Sequence, residues 1–169
     1  MKKLYVKQKV FSWVDKFTVK NENEQDCYVV EGDMIVIGGK KLHIKDMEGR
    51  EVAMIQQKFF SLMPKFFVFM GGQQVAEIVK KFSVLKPKYA IEGLGWEVKG
   101  SILDHDYVIT NSGETIITLH KAWLSWGDSY ELTITGGVDQ RMALAIVLAI
   151  DCMQQAQAEA AAANSSNND

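Results

Sequence analysis

Residues 141–153, "RMALAIVLAIDCM", contain nine apolar residues without a break from Met142 to Ile150. No other segment constrains the fold as strongly. As helix, the run spans roughly 13–14 Å, against about 30 Å of bilayer hydrocarbon. Arg141 and Asp151 bracket it, and Gln154, Gln155 and Gln157 follow, so a transmembrane span is not expected. A helix that is apolar on every face must instead be buried all round. Asp139, just after Gly136-Gly137, suits an N-cap, and the Ala-rich "AQAEAAAA" (156–163) can carry the helix outward before "NSSNND" frays. We therefore place a helix near 139–158 and a frayed polar tail over 159–169.

The rest of the chain supplies what surrounds this helix. Short apolar or alternating runs recur between turn residues: "FTVK" (17–20), "CYVVE" (27–31), "MIVIG" (34–38), "KLHIKD" (41–46), "EVAMIQQ" (51–57) and "KFFVFM" (65–70). They continue with "VAEIVKK" (75–81), "KYAIEG" (88–93), "WEVKG" (96–100), "DYVIT" (106–110), "TIITLH" (115–120) and "YELTIT" (130–135). The N-terminal "MKKLYVKQKVF" also reads as strand, because Lys7 and Lys9 interrupt any secretion-signal core. Each run has ordinary strand length. Asp46-Met47-Glu48-Gly49, Gly71-Gly72 and Asn111-Ser112-Gly113 provide hairpin turns.

A repeat links these strands. Shifted by 23 residues, "GREVAMIQQKFFSLMPK" (49–65) meets "GQQVAEIVKKFSVLKPK" (72–88) with nine of 17 positions identical, among them Lys58/Lys81 and Lys65/Lys88. A weaker copy from Gly113 keeps Ile116, Leu119, Trp123 and Tyr130 in the apolar places. Repeats in so short a chain suit one closed sheet, which also leaves no edge exposed. The expectation is a mainly β fold: an antiparallel barrel of about twelve strands enclosing a central hydrophobic C-terminal helix, as one domain over residues 1–155.

The segment "GGKKLHIKDMEGREVAMIQQK" (38–58), in which a strand ending at Asp46 turns at Gly49 into a strand closing on Gln-Gln-Lys, resembles the LURP-one-related family. The all-apolar C-terminal helix after a final strand strengthens the likeness, which covers roughly residues 3–155. That family belongs to the tubby C-terminal-like superfamily, with the phospholipid scramblases. The resemblance implies a twelve-stranded barrel closed around a hydrophobic helix. It also implies, more loosely, association with membranes, since tubby domains bind phosphoinositide head groups. Its motifs are structural, so it transfers no catalytic or lipid-contact residue.

Signs of chemistry are few. The segment "DHDYVITNSGET" (104–115) is reminiscent of the acidic calcium segment of scramblases, but Val108 and Ile109 stand where an oxygen-ligand loop needs polar groups. It reads as a hairpin approach. His43 and His120 lie in strand patterns without ligands at metal spacing. Cys27 and Cys152 fit free thiols in a reducing cytosol. Asp151, on the buried helix, must be paired or solvated and is expected at the barrel mouth. No catalytic residue, metal site or cofactor is expected, and the net charge of −2 argues against nucleic-acid binding.

The charge is unevenly distributed. Residues 58–88 carry six lysines against Glu77 alone, whereas residues 89–169 hold eleven acids against Lys99, Lys121 and Arg141. In "KFFSLMPKFFVF" (58–69), "KKFSVLKPK" (80–88) and "KAWLSWGDSY" (121–130), aromatic and apolar residues stand beside lysines at strand-to-strand elbows. The bland reading makes Phe59, Phe82 and Trp123 core residues that grip the helix. The functional reading is a face for anionic lipid formed by Lys58, Lys65, Lys80, Lys81, Lys86 and Lys88, with Phe60, Leu62 and Met63 free to insert. Lys80 and Lys81 are adjacent in a strand, so only one can point outward. The expected protein is a cytoplasmic monomer without enzymatic activity that binds anionic phospholipid or another amphipathic ligand peripherally, at the inner face of the membrane. The alternative is a protein-interaction or scaffold barrel with no small ligand.

Overall fold

The computed structural model describes residues 1–7, 16–33, 39–58, 63–81, 88–124 and 127–165. Its first six strands are β1 (Lys2–Lys7), β2 (Lys16–Asn21), β3 (Asp26–Gly32), β4 (Lys41–Asp46), β5 (Glu51–Gln57) and β6 (Lys65–Met70). They are followed by β7 (Gln73–Lys81), β8 (Lys88–Glu92), β9 (Trp96–Ser101), β10 (Asp106–Asn111), β11 (Glu114–Leu124) and β12 (Gly127–Ile134), then by the helix α1 (Gln140–Ser165). Each strand pairs antiparallel with its sequence neighbours, and β12 closes on β1 from Lys2↔Ile134 to Lys7↔Ser129. The result is a closed twelve-stranded meander.

Alternation dictates what faces inward. Leu42 and Ile44, Ala53 and Ile55, Phe66 and Val68, and Ala76 and Ile78 are buried in successive strands. The interior is filled by α1, in which every residue from Ala143 to Met153 is buried. The helix packs closest on β5, β6 and β7, where Ala53 and Ala76 leave it room. The membrane-length argument holds: no helix among the described residues is long and apolar enough to cross a bilayer.

The turn chemistry follows the sequence. Asp46 Oδ1 accepts from Glu48 N at 3.0 Å and Arg50 N at 2.9 Å, with Gly49 at φ +81. Asp139 caps the helix, its Oδ1 accepting from Arg141 N at 2.8 Å. Two expectations are revised. The helix runs to Ser165 rather than 158, because alanine is the best helix former, so 159–165 is exposed helix and not frayed tail. Strand continues through most of the "KAWLSWGDSY" elbow, leaving only 125–126 between β11 and β12. The "MIVIG" strand lies outside the described residues.

The meander gives the barrel two unlike ends. At one end, tight turns at 22–25, 47–50, 71–72, 93–95 and 112–113 join the strands, and α1 begins. At the other end β1, β3, β5, β7, β9 and β11 finish, and α1 emerges.

Candidate functional site

The 23-residue repeat translates directly into register. β5 and β6 superimpose in sequence on β7 and β8, so the four shared lysines form two cross-strand pairs at the end where α1 emerges. Lys58 N donates to Lys65 O at 2.8 Å, and Lys81 stands directly opposite Lys88. Like charges opposite one another on a sheet are locally unfavourable.

The lysines differ in their partners. Lys65 Nζ is 2.9 Å from Glu77 Oε1, and Lys81 Nζ is 2.7 Å from Glu92 Oε1. Lys58 Nζ lies 5.9 Å from the centroid of the Phe67 ring, a cation–π contact rather than an ion pair. Lys88 is exposed, with no ion pair among the described residues. Lys80 shares the inward register of Ile78 and is half-buried opposite Tyr89, so Lys81 is the member of that adjacent pair that faces out. Met63 is exposed. Phe60, Leu62 and Lys86 lie outside the described residues, as do Phe59, Phe82 and the Trp123 side chain.

Beside Lys81 and Lys88 the barrel wall opens. β8 and β9 pair only at Ile91↔Trp96 and Ala90↔Glu97 and then part, whereas β9 pairs with β10 along its whole length. Gly100 explains the difference. At φ +122 it approaches β10 so closely that a Cβ would stand 2.7 Å from Asp106 O, which holds β9 against β10 and away from β8. The parting leaves a cavity of about 540 Å³ whose described lining includes Lys81, Lys88, Lys99, Tyr89, Val98 and Ile102. Strand alternation sorts that lining: the lysines belong to the outer register, whereas Tyr89 and Val98 belong to the inner one. The helix braces both sides of the opening. Tyr89 Oη donates to Gln157 Oε1 at 3.1 Å, and Gln154 Nε2 donates to Ile102 O at 2.7 Å.

A second cluster lies just inside this end. Tyr130 Oη donates to Asp151 Oδ2 at 2.6 Å, and His105 Nε2 lies 3.5 Å from Asp151 Oδ1. The His105 ring stacks on Tyr130 with centroids 5.0 Å apart, and His105 takes a left-handed φ of +52 to do so. The Asp151 carboxylate, by hydrogen bonding and charge, raises the His105 imidazole above its ordinary value despite partial burial. Burial pushes the Tyr107 and Tyr130 hydroxyls and the Cys152 thiol well up, and Asp151 adds to each. The Tyr107 hydroxyl is buried without a hydrogen-bond partner among the described residues. Asp151 thus sits near the mouth, paired, where the sequence places it.

His43 lies between Glu51, at 2.5 Å from Nδ1, and Asp33, at 3.0 Å from Nε2; His120 Nδ1 is 2.5 Å from Asp106. These carboxylates come from cross-strand and loop neighbours that linear spacing does not reveal. Among the described residues, no group of three or more His, Cys, Asp or Glu side chains is arranged to hold a metal.

Residues 2–151 match the family model described as LURP-one-related. The chain belongs to the LURP-one-related family. The uncharacterized protein YxjI of Bacillus subtilis is 36% identical over 151 residues, covering 89% of this chain and 93% of that relative. The X-ray structure of an Arabidopsis thaliana protein shares the fold, with a TM-score of 0.64 at 16% identity over 90% of this chain and 91% of that one. The fold in which this opening sits thus recurs in a plant protein of distant sequence.

Sequence reasoning found Lys81 and Lys88 but missed Lys99, Tyr89, Val98 and Ile102. The only signal for them was the "WEVKGS" run, whose Gly100 interrupts a strand, a common mark of a bulge or close backbone approach.

Proposed function

We propose that this protein is a non-enzymatic cytoplasmic binding module that docks peripherally on anionic phospholipid at the inner face of the membrane, through the end of the barrel where α1 emerges. The observation that carries this reading is the Lys81–Lys88 pair and its repeat counterpart Lys58–Lys65. Two like-charged pairs at one end of one sheet are a local liability that an anionic surface would offset. Lys58 and Lys88 hold no carboxylate among the described residues, and each lysine near such a surface contributes about 1 kcal/mol. Met63, exposed between the two hairpin strands, adds an apolar contact. The most nucleophilic side chain inside the barrel, Cys152, is buried with its thiol pushed well up, which supports binding over catalysis.

Attachment of this kind is reversible and weakened by salt. The test is co-sedimentation of the full chain with phosphatidylglycerol-containing and purely phosphatidylcholine vesicles, at low and high salt. Binding to the anionic vesicles alone, lost at high salt, is the expected result. Equal partitioning onto both, or no binding at low salt, leaves the protein-interaction barrel as the better reading.

A further inference from the structure

We infer that the opening between β8 and β9 is a binding site for a single long-chain carboxylate, held with its head on Lys88 and its chain passing inward over Val98 to Tyr89 and Ile102. This rests on the proposed affinity for anionic amphiphiles and names the pocket and the ligand class that would use it. The cavity, at about 540 Å³, falls within the ordinary range for small-molecule sites, roughly 300–1,000 Å³. Its lining is amphipathic in the required direction. Lys81, Lys88 and Lys99 belong to the outer register, whereas Val98 and Tyr89 face the core, and Ile102 is buried at the inner end.

Charge complementarity selects the head group. Lys81 is paired with Glu92 at 2.7 Å, and Lys99 lies 3.5 Å from Glu97. Lys88 is then the cation at the rim that the described residues leave uncompensated. One free cation matches a monoanion, and Glu97 at the same rim disfavours a dianionic phosphomonoester. A peptide strand fits poorly as the occupant. The unpaired stretches, 88–89 on β8 and 98–101 on β9, are too short to hold an added strand. The walls are also pre-organised, because Gln157 and Gln154 of α1 hold Tyr89 and the Ile102 carbonyl, which lowers the ordering cost of binding.

The experiment is calorimetric titration of the full chain with oleate below its micellar concentration, with monoolein and lysophosphatidate as comparisons. Saturable binding of one oleate per chain is expected, with monoolein and lysophosphatidate each at least about tenfold weaker, a difference of about 1.4 kcal/mol. Val98→Trp fills the opening and Lys88→Gln removes the free cation. Each should weaken oleate binding by at least about tenfold, with circular dichroism and melting showing a folded barrel. Val98→Trp should leave vesicle association intact, because it removes no lysine. Absence of saturable oleate binding, unchanged affinity in folded Val98→Trp and Lys88→Gln, or equal binding of monoolein overturns the inference; tighter lysophosphatidate overturns the choice of a carboxylate. Vesicle binding without oleate binding sinks the pocket and leaves the surface reading standing. Oleate binding without vesicle binding does the reverse.

Discussion

The two ends of the barrel are built by different rules. The end at which α1 begins is closed by short turns whose geometry is written in glycine: Gly49 at φ +81, Gly71 and Gly72 at +56 and +77, Gly113 at +86. It is also the more acidic, with Glu22, Glu24, Asp26, Asp46, Glu48, Glu114 and Asp139 at or beside the turns against Lys2, Lys20, Arg50 and Arg141. The end at which α1 emerges gathers Lys7, Lys16, Lys40, Lys41, Lys58, Lys65, Lys81 and Lys88, against Glu31, Asp33, Asp104, Asp106 and Glu159. It also holds the parted β8–β9 seam and the Asp151 cluster. Turns that set strand register leave little freedom for anything else. An end relieved of that duty can carry recognition.

Both ends share one plug, and the largest expected effect removes it. Ile146 is fully buried inside the barrel, so Ile146→Asp places an unpaired charge there at a cost of several kcal/mol, a large fraction of ordinary stability. The protein should fail to fold cooperatively. A soluble Ile146→Asp variant with a normal melting curve would contradict a helix packed all round.

Next in size is a test of the tight end alone. At Gly93 (φ +94) a Cβ would stand 2.9 Å from Val75 O, whereas at Gly49 (φ +81) it would meet nothing within 4 Å. Gly93→Ala carries both the conformational penalty and a backbone clash and should cost about 2–3 kcal/mol, against about 1 kcal/mol for Gly49→Ala. Urea unfolding of both variants checks the order. Equal losses would mean that the β7–β8–β9 corner yields more readily than its geometry suggests.

Much of the tight end was legible in the sequence, and little of the open end was. β4, β5 and β6 begin and end where alternation and turn residues place them, because each turn is a local signal. The buried helix was legible from a run that no half-exposed helix tolerates. Its far end was not, since Ala160–Ala163 stay helical after burial has ceased to require it. The repeat showed Lys58 and Lys65 to be equivalent to Lys81 and Lys88, but not that Lys81 stands opposite Lys88. The neutralising Glu77 and Glu92, the Asp151–His105 contact and the cleft edged by Lys99 depend on cross-strand register and on where two strands part. Those are tertiary properties with no sequence period.

A smaller effect separates the open end by pH. His105 faces Asp151 and Tyr130, with Lys121 and Asp104 also acting on it. Its imidazole is raised in the folded protein, so its stabilising contribution is complete below the unfolded value of 6.5 and is lost as pH rises through the higher folded value. That contribution is expected to be about 1 kcal/mol. His105→Asn, which tolerates the left-handed backbone, should flatten the stability profile between about pH 6 and 8 relative to wild type. Parallel profiles would show that the contact with Asp151 does not depend on charge.

The smallest effect on stability carries the central claim, that the open end is the one that meets anionic lipid. Lys81→Glu with Lys88→Glu reverses two exposed charges there; Lys2→Glu with Lys20→Glu reverses the exposed Lys2 and the half-buried Lys20, which pairs with Asp26 at 2.6 Å, at the acidic end. Both double variants should melt within a few degrees of wild type, because exposed charges and surface ion pairs such as Lys20–Asp26 and Lys81–Glu92 contribute about 1 kcal/mol or less. Co-sedimentation with phosphatidylglycerol vesicles at low salt should fall to background for Lys81→Glu with Lys88→Glu and persist for Lys2→Glu with Lys20→Glu. Equal loss in the two variants, or retention in both, would contradict the account.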